Sequence, residues 1–191
     1  MGLSPLSFGV VGLAMALFGN GLPLLGIDDK PLGEGQPSPT KTVAVVASFA
    51  GAVTLTFFAL WLIIGAPFGT TDPAAVRTQI LFASLGGKFG MLWIGVFIVQ
   101  IMGWDMRPIG SMCLLLALLH VIEMVILASW GVTTHIAIIE VVFAVYVLVL
   151  LGFWALTHGK IGPRPVGWIC MIGTLGTLYL QFVAGGVLPT P

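Results

Sequence analysis

Six stretches of roughly twenty apolar residues divide this chain, and their number and length decide what it can fold into. About 20 such residues in an α-helix cross a hydrocarbon core of roughly 30 Å, and in lipid only a helix or a closed barrel satisfies its own backbone hydrogen bonds. The stretches run near residues 5–25, 43–66, 80–103, 109–130, 133–157 and 166–188. Of the 191 residues, 58% are hydrophobic and 7% charged, which is more apolar area than a water-facing surface of this size can carry. The sequence predicts an all-α membrane protein. Residues 1–191 form a single transmembrane domain, a six-helix bundle built from helical hairpins with both termini on one side.

Nothing basic precedes the first run and no small-residue cleavage site follows it, so it reads as a retained span and not a signal peptide. Orientation comes from the short loops. Those after spans one, three and five hold Lys30, Lys41, Arg107, Lys160 and Arg164; the loop after span two holds Arg77, and the turn after span four holds no Lys or Arg. Basic loops stay in the cytoplasm, which puts both termini outside. The linker from Gly26 to Thr42 is rich in Pro, Gly and charge, and it joins two spans. Arg107-Pro108-Ile109-Gly110 and Arg164-Pro165-Val166-Gly167 open spans four and six alike, since proline early in a helix has no hydrogen bond to lose and arginine reaches the headgroups.

Lys+Arg and Asp+Glu balance at 7 each, so no basic patch exists for nucleic acid. Cys113 and Cys170 lie inside apolar runs without metal or disulfide spacing and read as packing residues. No two histidines are spaced to clamp a haem, and no nucleophile with its base, phosphate loop or metal cluster is visible. The chain is read as a non-enzyme without cofactor or metal.

Inside the spans only Lys88, Glu123 and Glu140 carry charge, and a rise of about 1.5 Å per residue puts all three roughly 5 to 8 Å outward of the midplane, level with Gln181. Charges at that depth face a bundle interior, a partner or water. Meeting there, they form either a polar pathway with acceptors for a ligand amide or an ion pair that locks helices or protomers together. His120 shares a helix face with Glu123, as a proton relay or a satisfied polar pair; His135 and His158 read as interfacial. Asn20, between Gly19 and Gly21, and Gln100 offer neutral donors and acceptors suited to uncharged polar molecules, or to bonds between helices. Phe143 and Tyr146 in span five, with Trp93 and Phe97 in span three, supply flat walls for a pore or ordinary packing.

Phe18-Gly19-Asn20-Gly21, Gly103-Trp104-Asp105-Met106-Arg107-Pro108 and Gly131-Val132-Thr133 to Ala137-Ile138-Ile139 resemble the AmiS/UreI family of urea and short-chain amide channels. Asp105-x-Arg107-Pro108 is the most specific element. The resemblance implies a six-helix protomer with its own pore, a homo-hexamer around a lipid plug, a bacterial plasma (inner) membrane location, and a functional link to a cytoplasmic amidase or urease. It also implies that Leu13, Leu17 and Asn20 line the pore from span one, and Phe143, Tyr146 and Val147 from span five. The chain departs from the acid-gated urea channel in the outer loop from Ala66 to Gln79, which has no histidine, and in span five, which keeps only Trp154. Glu140 replaces an aromatic there, which points to aliphatic amides over urea. A passive amide channel is therefore expected, with a proton-coupled carrier using Glu123 and His120, or a non-conducting accessory subunit, as alternatives.

Overall fold

The computed structural model describes residues 5–31, 33, 39–67, 69–130 and 134–184, with side chains at 5–7, 74, 134–136 and 183–184 outside that description. The described residues form six helices: α1 (Pro5–Leu24), α2 (Pro39–Gly65), α3 (Pro73–Met102), α4 (Arg107–Ala128), α5 (Thr134–Thr157) and α6 (Pro163–Ala184). The described residues contain no strand. Among the described residues five helices are long and apolar enough to cross a membrane, and α1 adds the shorter apolar segment Phe8–Leu24. This is the architecture of a multi-pass helical membrane protein.

The expected boundaries hold to a few residues except at two starts. Helix α2 begins at Pro39, inside the expected linker, and makes a π-helical turn over Ala44–Ser48. Helix α3 begins at Pro73, so the expected outer loop from Ala66 to Gln79 is half helix. Proline pre-set for a first helical turn initiates both, a signal that hydropathy overrides when Arg77 and Gln79 follow. At 30 residues α3 rises about 45 Å, longer than a hydrocarbon core.

The turns that precede α4 and α6 follow one scheme. Gly103 (φ 67) and Gly159 (φ 66) adopt the left-handed conformation that ends a helix, and Pro108 and Pro163 start the next one. Asp105 caps the first of these, accepting hydrogen bonds from the Arg107 backbone N–H (2.9 Å) and Nε (2.7 Å). The Arg107 side chain holds the Asp105 carboxyl below its ordinary range. The cap is thus in place above the usual aspartate range and is released as pH falls through the lowered pKa. Both side chains are exposed, so Asp105-x-Arg107-Pro108 builds a turn.

The helices pack as a ring in the order α3, α2, α1, α6, α5, α4, and α4 meets α3 again to close it. Packing is densest between α2 and α3, α1 and α6, and α4 and α5, and sparsest at the closing α3–α4 seam. Helices on opposite sides of the ring hardly touch, so the centre is filled by side chains alone. One cluster holds Leu13, Leu17, Leu85, Phe89, Trp93, Phe143, Tyr146 and Leu150. Large apolar side chains such as Ile64, Met91, Val125 and Leu175 point outward, which suits lipid and not water.

Small residues set the ring's tightness. A Cβ on Gly19 would overlap the Ala47 side chain on α2, and one on Gly21 would meet Met171 and Cys170 on α6. Gly19→Val is therefore expected to lose about 1–3 kcal/mol by overpacking and to part α1 from α2. Fluorescence-detected size exclusion after heating reads this as a lower midpoint than that of wild type.

Candidate functional site

The sparse α3–α4 seam opens at the α3 N-terminus into a cavity of about 740 Å³, lined by Arg77, Thr78, Leu81, Ser84, Glu123, Ser129 and Trp130 among others. The over-long α3 builds this vestibule, because its first two turns stand beside the end of α4 without packing tightly on it. Ser84 and Glu123 form the polar part of its floor, with Ser84 Oγ donating to Glu123 Oε1 at 2.8 Å.

Below the floor the seam is closed by charge. Lys88 on α3 pairs with Glu123 Oε2 on α4, and its ammonium approaches His120 Nδ1 at 2.7 Å. All three side chains are buried, and His120 is wholly so. An ammonium has only protons to offer, so its approach requires a lone pair on Nδ1 and assigns the imidazole proton to Nε2. The 3.0 Å between His120 Nδ1 and Glu123 Oε2 then reflects two acceptors converging on one cation. A carboxylate has about four lone-pair sites, so Glu123 keeps acceptor capacity toward the vestibule it lines.

An aromatic plug follows. Phe143 stacks on the His120 imidazole with centroids 4.6 Å apart and planes tilted 31°. Phe89 meets both His120 and Tyr146 edge-on at 5.7 Å. Tyr146 is anchored by its hydroxyl to Thr177 Oγ1 on α6 at 2.7 Å, and Trp93 packs edge-on against Phe153. Leu13 and Leu17 complete the same cluster from α1. Two polar atoms in this interior, His120 Nε2 and Trp93 Nε1, have no hydrogen-bond partner among the described residues. A buried polar group left so costs about 1–3 kcal/mol.

At the opposite end lies a neutral amide cluster. Asn20 Nδ2 donates to Ala16 O (2.9 Å) and Ser48 Oγ (3.1 Å), Ser48 Oγ donates to Gln100 Oε1 (2.8 Å), and Gln100 Nε2 donates to Asn20 Oδ1 (2.7 Å). Ser48 closes the π-helical turn of α2, a local widening of the helix that often marks functional positions. From Ser84 to Gln100 the interior is bounded by about 24 Å of α3.

The expected meeting of three charges is corrected here. Lys88 and Glu123 do meet, but Glu140 stands apart in an apolar groove of about 480 Å³ on the outer side of α4 and α5, with Val121, Met124, Val125, Ala144, Val147 and Leu148. The period of an all-apolar helix carries little phase information, so equal depth did not imply a shared face. Glu140 Oε1 is buried there without a partner among the described residues. Val147 lies at the boundary, lining this groove while packing on the core. Phe97 is likewise outside the ring, tilted against Phe49 at 5.1 Å in a groove between α2 and α3. Gln181 is half-buried on α6. His158 contacts Ser111 Oγ at 3.3 Å near the α5 end. The stretch Gly131-Val132-Thr133 and the His135 side chain lie outside the described residues.

Leu13, Leu17, Asn20, Lys88, Trp93, Glu123, Phe143 and Tyr146 are thus interior, and Glu140 is not. Sequence reading missed Ser48 and Ser84, since single serines in apolar runs give no signal without knowing what faces them. No group of residues able to hold a metal occurs among those described. Comparison with protein-family models, curated proteins and solved structures gives no match.

Proposed function

We propose that this chain is a passive membrane channel for small neutral amides, acetamide-like and including urea, akin to the AmiS/UreI family. The observation that carries this reading is the ring itself: six helices enclose one interior in which a polar vestibule, an aromatic plug and an amide cluster succeed one another. Neutral donors and acceptors suit an uncharged permeant, and the leucine and aromatic walls between them discourage hydrated ions. In this reading all six helices span the bacterial inner membrane, both termini lie outside, and the vestibule is the outer mouth. Six protomers assemble as a ring, each with its own pore, and flux runs down the gradient toward a cytoplasmic amidase. The exposed apolar outer surface accommodates lipid and neighbouring protomers.

Purified protein in liposomes, followed by stopped-flow light scattering, tests the proposal. Acetamide and urea flux above that of empty liposomes, unchanged when a proton gradient is collapsed, is the expected result. The buried Lys88–Glu123–His120 cluster favours a second reading, a proton-coupled carrier, which predicts flux that disappears with the gradient. No flux from correctly assembled protein would leave an accessory subunit. Because Glu140 lies outside the ring, Glu140→Gln is expected to leave the acetamide-to-urea flux ratio within about twofold of wild type, as surface changes away from a site do. A shifted ratio would return Glu140 to the filter.

A further inference from the structure

His120 Nε2 and Trp93 Nε1 pose a specific problem. Both belong to fully enclosed side chains, exposed by 0% and 1%, and neither has a partner among the described residues, although nearly all buried polar groups in folded proteins find one. The indole nitrogen can only donate, and the ammonium at Nδ1 makes the far imidazole nitrogen a donor too. Two buried N–H donors in the ring's interior therefore go without an acceptor among the described residues.

Their placement along the ring gives them order. Phe89 touches His120, and Trp93 follows Phe89 by one helical turn, about 6 Å further along α3. The vestibule floor at Ser84 and Glu123 precedes them, and Gln100 with Asn20 follows about 10 Å beyond Trp93. The series therefore runs acceptor, donor, donor, amide cluster. Phe143, stacked on the imidazole, is the flat surface a planar molecule would displace or slide over.

Resting on the amide-channel reading, we propose that His120 Nε2–H and Trp93 Nε1–H are successive binding points for the permeant's carbonyl oxygen, with Glu123 receiving its NH2 group at the vestibule floor. The ligand class is a small planar molecule that joins an uncharged carbonyl acceptor to an NH2 donor. A carboxylate is repelled by Glu123, and an amine offers no oxygen to the two donors. One binding point after the other holds the carbonyl briefly, so the permeant never crosses the plug without a polar contact. Such weak, multiple sites are what conduction requires.

Trp93→Phe keeps the aromatic wall and removes one donor. His120→Asn can still present an acceptor to Lys88 but no longer reaches the Nε2 position, whereas His120→Gln extends an amide N–H toward it. Acetamide uptake by liposomes, at matched protein content and unchanged elution volume, is expected to fall about tenfold in Trp93→Phe and in His120→Asn, the loss of one hydrogen bond in the barrier. His120→Gln is expected to recover most of it. Wild-type flux in both Trp93→Phe and His120→Asn would overturn the assignment, as would equal loss in Asn and Gln variants at position 120. Should His120→Asn fail to assemble, Trp93→Phe decides alone. Wild-type protein that conducts no amide would sink the channel reading itself, a different result from a conducting channel indifferent to these two donors.

Discussion

Glu123→Leu is expected to lower stability by about 3–5 kcal/mol and to abolish amide flux, because it leaves the Lys88 ammonium buried with only His120 Nδ1 to receive it. The seam makes the loss severe. Helices α3 and α4 pack sparsely, and Glu123 supplies two of the polar contacts between them, the Lys88–Glu123 pair and the Ser84–Glu123 hydrogen bond. Removing both charges together separates the two roles of the carboxylate. In Lys88→Met/Glu123→Leu no charge is orphaned, and apolar side chains of similar volume replace a pair whose mutual attraction barely offsets its desolvation, so stability is expected to return to within about 1–2 kcal/mol of wild type. Flux is expected to stay low, because the vestibule floor has lost the acceptor for the permeant's NH2. Thermal unfolding in detergent gives the first quantity and liposome uptake the second. A double variant as unstable as Glu123→Leu would refute the orphaned-charge explanation. One that conducts like wild type would show the ion pair to be a strut and nothing more.

What could be read from the residues was decided by free-energy terms large enough to survive without knowledge of neighbours. Six runs of about 20 apolar residues leave few alternatives in water or lipid, and six helices appear where the runs lie, with turns at Gly103 and Gly159 that left-handed glycine and the following proline dictate. That Lys88, Glu123 and Glu140 each demand a partner was also legible, because a charge in that setting cannot stand alone, but the sequence did not single out Lys88 with Glu123 as the two that meet. Glu140 shows where this reasoning ends. Depth follows from counting residues, but facing requires a polar stripe, and an all-apolar helix has none. The same ambiguity moved Phe97 out of the interior and hid Ser48 and Ser84, each meaningful only once the ring brings Asn20 and Gln100, or Glu123, to its hydroxyl. The π-helical turn that ends at Ser48 has no signature among its residues Ala44–Ser48.

Phe143→Ala carries the second large effect. The Phe143 ring is fully buried, stacked on His120 and 6.3 Å from the Tyr146 ring, so its removal leaves a hole that rigid neighbours cannot fill. Tyr146 is tied to Thr177, and Thr177 Oγ1 in turn donates to Gly173 O at 2.6 Å, while Lys88 restrains the imidazole. Truncating a buried phenylalanine costs about 3–5 kcal/mol when the site does not collapse. The same rigidity determines the functional outcome. In the proposed channel the hole would lie between the vestibule floor and the amide cluster, where the plug would set the size of what can pass. Phe143→Ala liposomes are therefore expected to admit butyramide and glycerol at least about tenfold faster than wild type, a gain of roughly 1.4 kcal/mol in the barrier, while acetamide flux changes little. Osmotic swelling in a series of amides of increasing length measures the cut-off directly. A variant that is less stable yet keeps the wild-type size limit would make Phe143 a packing residue and place the constriction elsewhere, with Leu13 and Leu17 on α1 the next side chains to truncate.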